Sequence, residues 1–249
     1  ESTENPAFPP EEFEAARQSL PKWKFDMFYR AIFTRPAGMI YDCFDNPAIS
    51  AGCPHKVKRF TIPDSWKRCL GLDFGGVNTA GVFLAEHPQT KRLFIYREYK
   101  AGGRTARDHK EALLRGEPAV PICVGGSASE GQWRDEFAAI GLPVHAPTVA
   151  EVEVGIGRVY GAFKRGEAAV FDDLTGLLDE LGSYSRKLDE RGEPLEDIEA
   201  KENFHYLDAL RYIVGWIKRG VSAFKIGMSS KPCAACIKGV FNVEEAGSW

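Results

Sequence analysis

No stretch of the chain approaches the ~20 consecutive apolar residues of a membrane-spanning helix. No charged leader precedes an apolar segment either, so the sequence reads as that of a soluble intracellular protein. Neither charge sign dominates: 32 Lys and Arg face 35 Asp and Glu, a net of −3. That balance neither requires nor excludes a nucleic-acid partner, because such binding needs a local basic face rather than a basic total. Cysteines are few and scattered, at Cys43, Cys53, Cys69, Cys123, Cys233 and Cys236. Such spacing in a chain of 249 residues excludes a disulfide scaffold. Repeats and low-complexity tracts are absent. No G-x-x-x-x-G-K-[ST] sequence occurs, so the phosphate loop of P-loop ATPases is missing and ATP is not an expected ligand. What remains is ordinary globular material. The chain is 44% apolar and 12% aromatic, enough to bury a sizeable core. It begins at Glu1 rather than Met and reads as a processed or cloned fragment.

Residues 1–65 have uneven texture. Pro9-Pro10-Glu11-Glu12, followed by Phe13, Ala16 and Leu20, marks a helix start, and a second helical stretch is expected over 22–32. Asn46-Pro47, Gly52, Pro54 and Pro63 then point to an irregular arm. From Cys69 the pattern changes. Strands are expected over 70–74, 79–86 and 93–99, joined by short Gly- and Pro-containing turns as an antiparallel meander. After that, helices (105–114, 129–140, 149–164, 174–184) alternate with short apolar strands (120–124, 142–145, 168–171). Residues 185–201 are highly charged around Gly192 and read as an exposed hairpin or loop. A final amphipathic helix is expected over 202–218, and 221–249 is a tail. This order predicts an α/β fold with a mixed sheet flanked by helices.

Three places could carry chemistry. Asp73 ends a buried apolar strand and precedes Gly75 and Gly76. A carboxylate there is costly unless it is paired or binds a metal, and small residues leave room for a ligand; the plain alternative is a β-turn. His205 and Asp208 lie three apart on one face of the last helix, beside an apolar stripe of Leu207, Leu210, Ile213 and Val214. Taken alone, that pair is more simply a helix start with a satisfied histidine. Glu130 is the nearest acid after the strand that should end beside Asp73. Its plain reading is an acid in a helix first turn behind Ser127 or Ser129. Asp135 and Glu136 fall one to two turns further on. Cys233 and Cys236 supply at most two zinc ligands, with Cys43, Cys53 or His55 as long-range partners.

Leu70-Gly71-Leu72-Asp73-Phe74-Gly75-Gly76, the meander and Leu207-Asp208-Ala209-Leu210-Arg211-Tyr212 resemble the nuclease domain of large terminase subunits, the DNA-packaging motors of tailed phages and prophages. Asn5-Pro6-Ala7-Phe8 and Phe28-Tyr29-Arg30-Ala31-Ile32-Phe33 are similar to the segment linking that family's ATPase to its nuclease. Gly157-Arg158-Val159-Tyr160 and Glu180-Leu181-Gly182-Ser183-Tyr184 also fit. The resemblance spans residues 3–218 and rests on the ordered set rather than on one motif. It implies an RNase H-like fold and a two-metal endonuclease cutting concatemeric double-stranded DNA in the host cytoplasm, with two Mg²⁺ or Mn²⁺ ions. By the same resemblance, Asp73, Glu130 and Asp208 are the metal ligands, Asp73 bridging, and His205 is a ligand or proton-transfer partner. The missing ATPase domain of the same protein, the small terminase subunit and the portal are the implied partners. The implied division is an arm at 1–65, a nuclease domain at 66–220 and a tail at 221–249. The chain departs from the pattern after its fourth strand, where many members carry Asp and this sequence has Gly125 and Gly126.

Arg104, Arg107, Arg186, Lys187 and Arg191 are candidate phosphate contacts, each equally a solvated surface charge. Rival readings are an actin-like kinase, from the Gly71–Thr79 loop, a catalytically silent DNA-binding assembly module, and a resolvase or transposase.

Overall fold

A computed structural model describes residues 9–19, 29–30, 38–46 and 53–221. These divide into two compact units. One holds Cys43–Leu178 and the chain from His205 on; the other holds the described part of Glu1–Asp42 together with Asp179–Phe204.

The larger unit is built on a seven-stranded mixed sheet of order β1-β7-β4-β3-β2-β5-β6. The strands are β1 Lys56–Val57, β2 Lys67–Asp73, β3 Thr79–Glu86, β4 Leu93–Ala101, β5 Ile122–Gly125, β6 Val144–His145 and β7 Ala168–Phe171. As the sequence predicts, β2, β3 and β4 form an antiparallel meander. Later strands join in parallel: β5 beside β2, β6 beside β5 and β7 beside β4. Strand β1, which the sequence reading lacks, pairs in parallel with β7. Residues 43–46 and 53–65 also pack on this unit. Phe44 stacks on His55, and Phe60 meets the ring edges of Phe94 and Phe171 at 5.2 and 5.1 Å. The short strand escapes a periodicity reading because two residues carry no period.

The helices of this unit are α2 Ala106–Leu114, α3 Gly131–Ala139, α4 Val152–Lys164 and α6 His205–Val221, while α1 Pro10–Ser19 lies in the smaller unit and α5 Thr175–Ser183 runs from one unit into the other. Helix α2 opens with a capping box: Thr105 accepts from the Asp108 amide and Asp108 accepts from the Thr105 amide. A 3₁₀ turn, Ala128–Glu130, precedes α3. Helix α6 lays its apolar stripe on the sheet. Leu207, Ala209, Leu210, Ile213 and Val214 are all buried, on the sheet face that carries Gly71, Val82 and Leu84.

The contact between α6 and β2 is tight because Gly71 has no side chain. A Cβ there would sit 2.1 Å from the Ala209 carbonyl oxygen and 2.9 Å from Ile213 Cγ2. In the smaller unit, β8 Arg186–Leu188 and β9 Pro194–Ile198 form the expected charged hairpin, turning at Gly192 with φ +83°. Tyr41 stacks on Tyr184, which meets Phe204 edge-on. The expected helix over 22–32 and the tail with Cys233 and Cys236 lie outside the described residues, apart from Tyr29 and Arg30 and the end of α6. Among the described residues no helix is long and apolar enough to cross a membrane.

Replacing Gly71 by Ala should force α6 off the strand. The expected loss is about 1–3 kcal/mol, from overpacking against backbone that cannot rotate away. It should appear as a lower urea midpoint with the transition slope unchanged.

Candidate active site at the end of strand β2

Asp73 is the last residue of β2 and is 8% exposed. Strand alternation puts Gly71 and Asp73 on one face. That is the face pressed against α6, so the close approach at Gly71 brings the start of α6 alongside Asp73. His205 Nδ1 lies 2.9 Å from Asp73 Oδ2. One turn along, Asp208 Oδ1 accepts from Arg211, with Nη2 at 2.7 Å and Nε at 3.2 Å. Each carboxylate thus has one oxygen engaged. Among the described residues, no partner is found for Asp73 Oδ1 or Asp208 Oδ2.

The electrostatics mark the same place. Burial pushes the Asp73 carboxyl up from 3.8 to about 6. The His205 hydrogen bond pulls it down, the charge of Asp208 pushes it up, His205's own charge lowers it, and Glu130 raises it again. Tyr212, one turn past Asp208, is pushed up to about 12, first by burial and then by Asp208, with Asp73 and Glu130 adding to the effect against an opposing Arg211. Asp208 and Glu130 therefore both lie within electrostatic reach of Asp73, with His205 and Arg211 as counter-groups beside them. Like charges gathered around a desolvated acid are unfavourable in isolation and favourable around a cation.

Glu130 also has a second task. Its Oε2 accepts the Ser127 amide hydrogen, closing a capping box on the 3₁₀ turn. The plain reading of Glu130 as a cap is thus fulfilled, and its charge still acts on Asp73. No group of three His, Cys, Asp or Glu among the described residues is arranged to hold a metal ion. Two carboxylates with free oxygens nevertheless suit one hard cation, which can take one or two protein carboxylates together with water and phosphate oxygens.

The glycines after β5 are fixed by packing. A Cβ on Gly125 would lie 2.2 Å from the Leu72 carbonyl oxygen. Gly126 has φ +74°, and its Cβ would meet Phe74 and an Arg134 nitrogen at 2.8 and 2.9 Å. Arg134 donates to the carbonyls of Gly125, Gly126 and Ser127, tying this loop down. An acid at Gly125 would have to displace backbone, and one at Gly126 would meet the Phe74 and Arg134 side chains in a conformation that L residues rarely adopt. The roles of Arg134 and Arg211 were not read from the sequence. The three-residue spacing of Asp208 and Arg211 was the available signal for Arg211; nothing local marks Arg134.

Among the candidate DNA contacts, Arg104 and Arg107 are exposed at the start of α2, with Arg104 also donating to the Tyr99 hydroxyl at 3.4 Å. Lys187 and Arg191 are exposed on the β8–β9 hairpin of the smaller unit. Arg186 is half-buried there, and its guanidinium donates to the Glu196 carbonyl across the hairpin, so it has a structural bond to make. His55 is absorbed by packing: Nδ1 accepts from the Asp45 amide, and Nε2 lies 2.8 Å from the Phe163 carbonyl. Cys53, Cys69 and Cys123 form no disulfide among the described residues, and Cys43 Sγ donates to the Tyr160 carbonyl. A cavity of ≈ 660 Å³ lined by Arg59, Arg68, Tyr96, Arg97 and Glu117 holds none of the site residues. Its charges are used internally, Arg68 and Arg97 both reaching Glu117.

The strand order, the meander and the buried acid facing the last helix define an RNase H-like domain. No family model matches the chain. The chain is 26% identical over 226 residues to the large terminase subunit of Escherichia phage T5, a match covering 87% of this chain and 50% of that protein. It therefore spans about half the length of that curated relative. Among solved structures it is similar to the P22 large terminase nuclease domain, with a TM-score of 0.57, 21% identity, and 74% of this chain and 95% of that one covered. It is also similar to the large terminase nuclease domain of bacteriophage SPP1 with bound Mn, with a TM-score of 0.52, 14% identity, and 66% and 95% covered. The chain is similar to a phage large terminase, and its fold is that of the large terminase nuclease domains.

The raised Asp73 value carries a stability consequence. An acid whose folded value lies above its unfolded one favours folding when protonated. That contribution is complete below about 4 and is lost as pH rises through about 6. At pH 8 the folded protein carries a desolvated charge that Asn would not. In EDTA at pH 8, Asp73→Asn should therefore be the more stable protein by about 1–3 kcal/mol, or about 2–8 °C in Tm. The gain should vanish near pH 4. A parent at least as stable as the variant at pH 8 would reject this account.

Proposed function

We propose that this domain is a metal-dependent endonuclease that cuts concatemeric double-stranded DNA during phage genome packaging. The observation that carries it is the desolvated Asp73 at the end of central strand β2, within electrostatic reach of Asp208 and Glu130, in a chain similar to large terminases. The bound Mn of the SPP1 neighbour supports a divalent cation, Mn²⁺ or Mg²⁺, at the end of β2. Asp73 Oδ1 and Asp208 Oδ2 would hold it; a second ion would call on Glu130. When bound, the ions supply a water of lowered pKa and neutralise charge on the scissile phosphate. The chain's own residues do the rest. His205 fixes Asp73 through Oδ2 and leaves Oδ1 for the cation, and it stands where it can take or give a proton. Glu130 adds the third negative charge. Arg104 and Arg107, with Lys187, Arg191 and Arg186 of the hairpin, contact backbone phosphates without reading bases. The ATPase domain of the same full-length protein, the small terminase subunit and the portal are its proposed partners in the host cytoplasm.

Plasmid cleavage tests the reading. Nicking should require Mn²⁺ or Mg²⁺, stop in EDTA, and fall by about two orders of magnitude or more in Asp73→Asn. Glu130→Gln keeps an oxygen for the Ser127 amide and loses the charge. A loss of about tenfold is expected, and unchanged cutting would leave Glu130 a cap alone. Arg104→Ala and Arg107→Ala should each reduce the slope of log affinity against log salt by about one, equally for unrelated sequences.

A second reading has its own observation. Gly125 and Gly126 fill the place of the family's acid and exclude a side chain there. A silent DNA-binding module would show the same salt dependence with no cleavage at any metal concentration.

A further inference from the structure

We infer that Arg211 is a positioning residue for Asp208 and that Gly155 on α4 is the gap that lets it act; this rests on the nuclease reading above.

Arg211 is 4% exposed. A guanidinium buried that deeply must be paired, and its partner is Asp208 at the preceding turn of the same helix. The pairing has an unusual form. A buried Arg and a carboxylate commonly meet fork to fork, two nitrogens on two oxygens. Here both nitrogens, Nε and Nη2, converge on Oδ1 alone. Asp208 Oδ2 is left with no partner among the described residues, and the Asp208 side chain is 21% exposed. Arg211 therefore fixes the carboxylate while keeping the other oxygen available.

The guanidinium can hold this pose because its stem is fixed. The stem crosses α4 at Gly155, where a Cβ would lie 2.2 Å from Arg211 Cγ and 2.4 Å from Cδ. Its guanidinium carbon lies 4.9 Å from the centroid of the Tyr212 ring. Helix α4, an aromatic face and Asp208 thus constrain Arg211 from three sides. The glycine belongs to the site although it touches none of the acids.

Charge and orientation predict opposite outcomes. A fixed positive charge beside a cation site repels the cation, so on charge alone removing Arg211 would tighten metal binding. If Arg211 instead orients Asp208, removing it frees the carboxylate to turn or to pair elsewhere, and binding weakens.

The test is a Mn²⁺ titration of the whole chain without DNA, following free Mn²⁺ by electron paramagnetic resonance. Parent, Asp208→Asn, Arg211→Met, Arg211→Lys and Gly155→Ala are compared. Arg211→Met should raise the Mn²⁺ Kd by about 10–100-fold, the range expected for a partner of a metal ligand. Arg211→Lys should fall between it and the parent. Gly155→Ala should move in the same direction by displacing the stem. Plasmid cutting at saturating Mn²⁺ should return to within about threefold of the parent, placing the defect in metal half-saturation rather than in kcat. A folded Arg211→Met protein with an unchanged or lower Kd overturns the proposal. Should Arg211→Met not fold, the Lys and Gly155→Ala variants decide by the same criterion. If the parent binds Mn²⁺ and loses it in Asp208→Asn while the Arg211 and Gly155 variants bind normally, only the positioning role falls. If the parent neither binds Mn²⁺ nor cuts, the nuclease reading falls with it.

Discussion

The contact on which this domain depends is the near-touching of a helix backbone and a strand backbone at Gly71. A side chain on a central strand normally keeps a packed helix about 10 Å from the sheet. With no Cβ, β2 lets the Ala209 carbonyl come within 2.1 Å of the place a Cβ would occupy. Two residues along the strand, on the same face, stands Asp73; on the helix, Asp208 directly precedes Ala209 and His205 stands one turn before it. Were α6 lifted by the width of a methyl group, the 2.9 Å contact between His205 and Asp73 would open. The glycine sets the geometry of groups it does not touch.

The acids are held half-engaged. Asp73 gives one oxygen to His205 and Asp208 gives one to Arg211, and each keeps the other. Burial raises the cost of ionising Asp73, and the neighbouring acids raise it further. A fold selected for stability alone would pair these carboxylates completely or replace them with apolar residues. Local unfavourable charge that is relieved by a ligand is a familiar property of functional sites. The second tier of residues shows the same design. Arg134 ties the loop after β5 by three carbonyls, and Gly155 makes room for the Arg211 stem.

Much of the fold was legible in the sequence. The meander, the alternating helices and strands, and the last helix fall close to where apolar periodicity and Gly or Pro breaks put them. The periods of two and 3.6 are local properties, set by which face of each element must leave water. The misses are short or cooperative elements: β1 is two residues long, and the start of α4 at Val152 follows three residues expected to be helical. Asp73 stood out because a carboxylate at the end of an apolar strand is locally anomalous. Glu130 shows the limit of such reasoning. Its position after Ser127 signals a cap, and it is one, yet its charge also acts on Asp73 across the loop. A sequence read in one dimension presents those as alternatives.

By itself the sequence determined the class of fold, the strand that carries the key acid and the helix that carries its partners, because hydrophobic period and turn chemistry are written residue by residue. Only the tertiary structure decided which oxygen of each carboxylate is engaged, that Arg211 rather than solvent holds Asp208, and that an acid at Gly125 would collide with the Leu72 backbone. Those outcomes depend on distances of 2–3 Å between residues up to 132 positions apart. Such distances are fixed by how closely two backbones can approach, which in turn is set by the volumes of all the side chains packed between and around them.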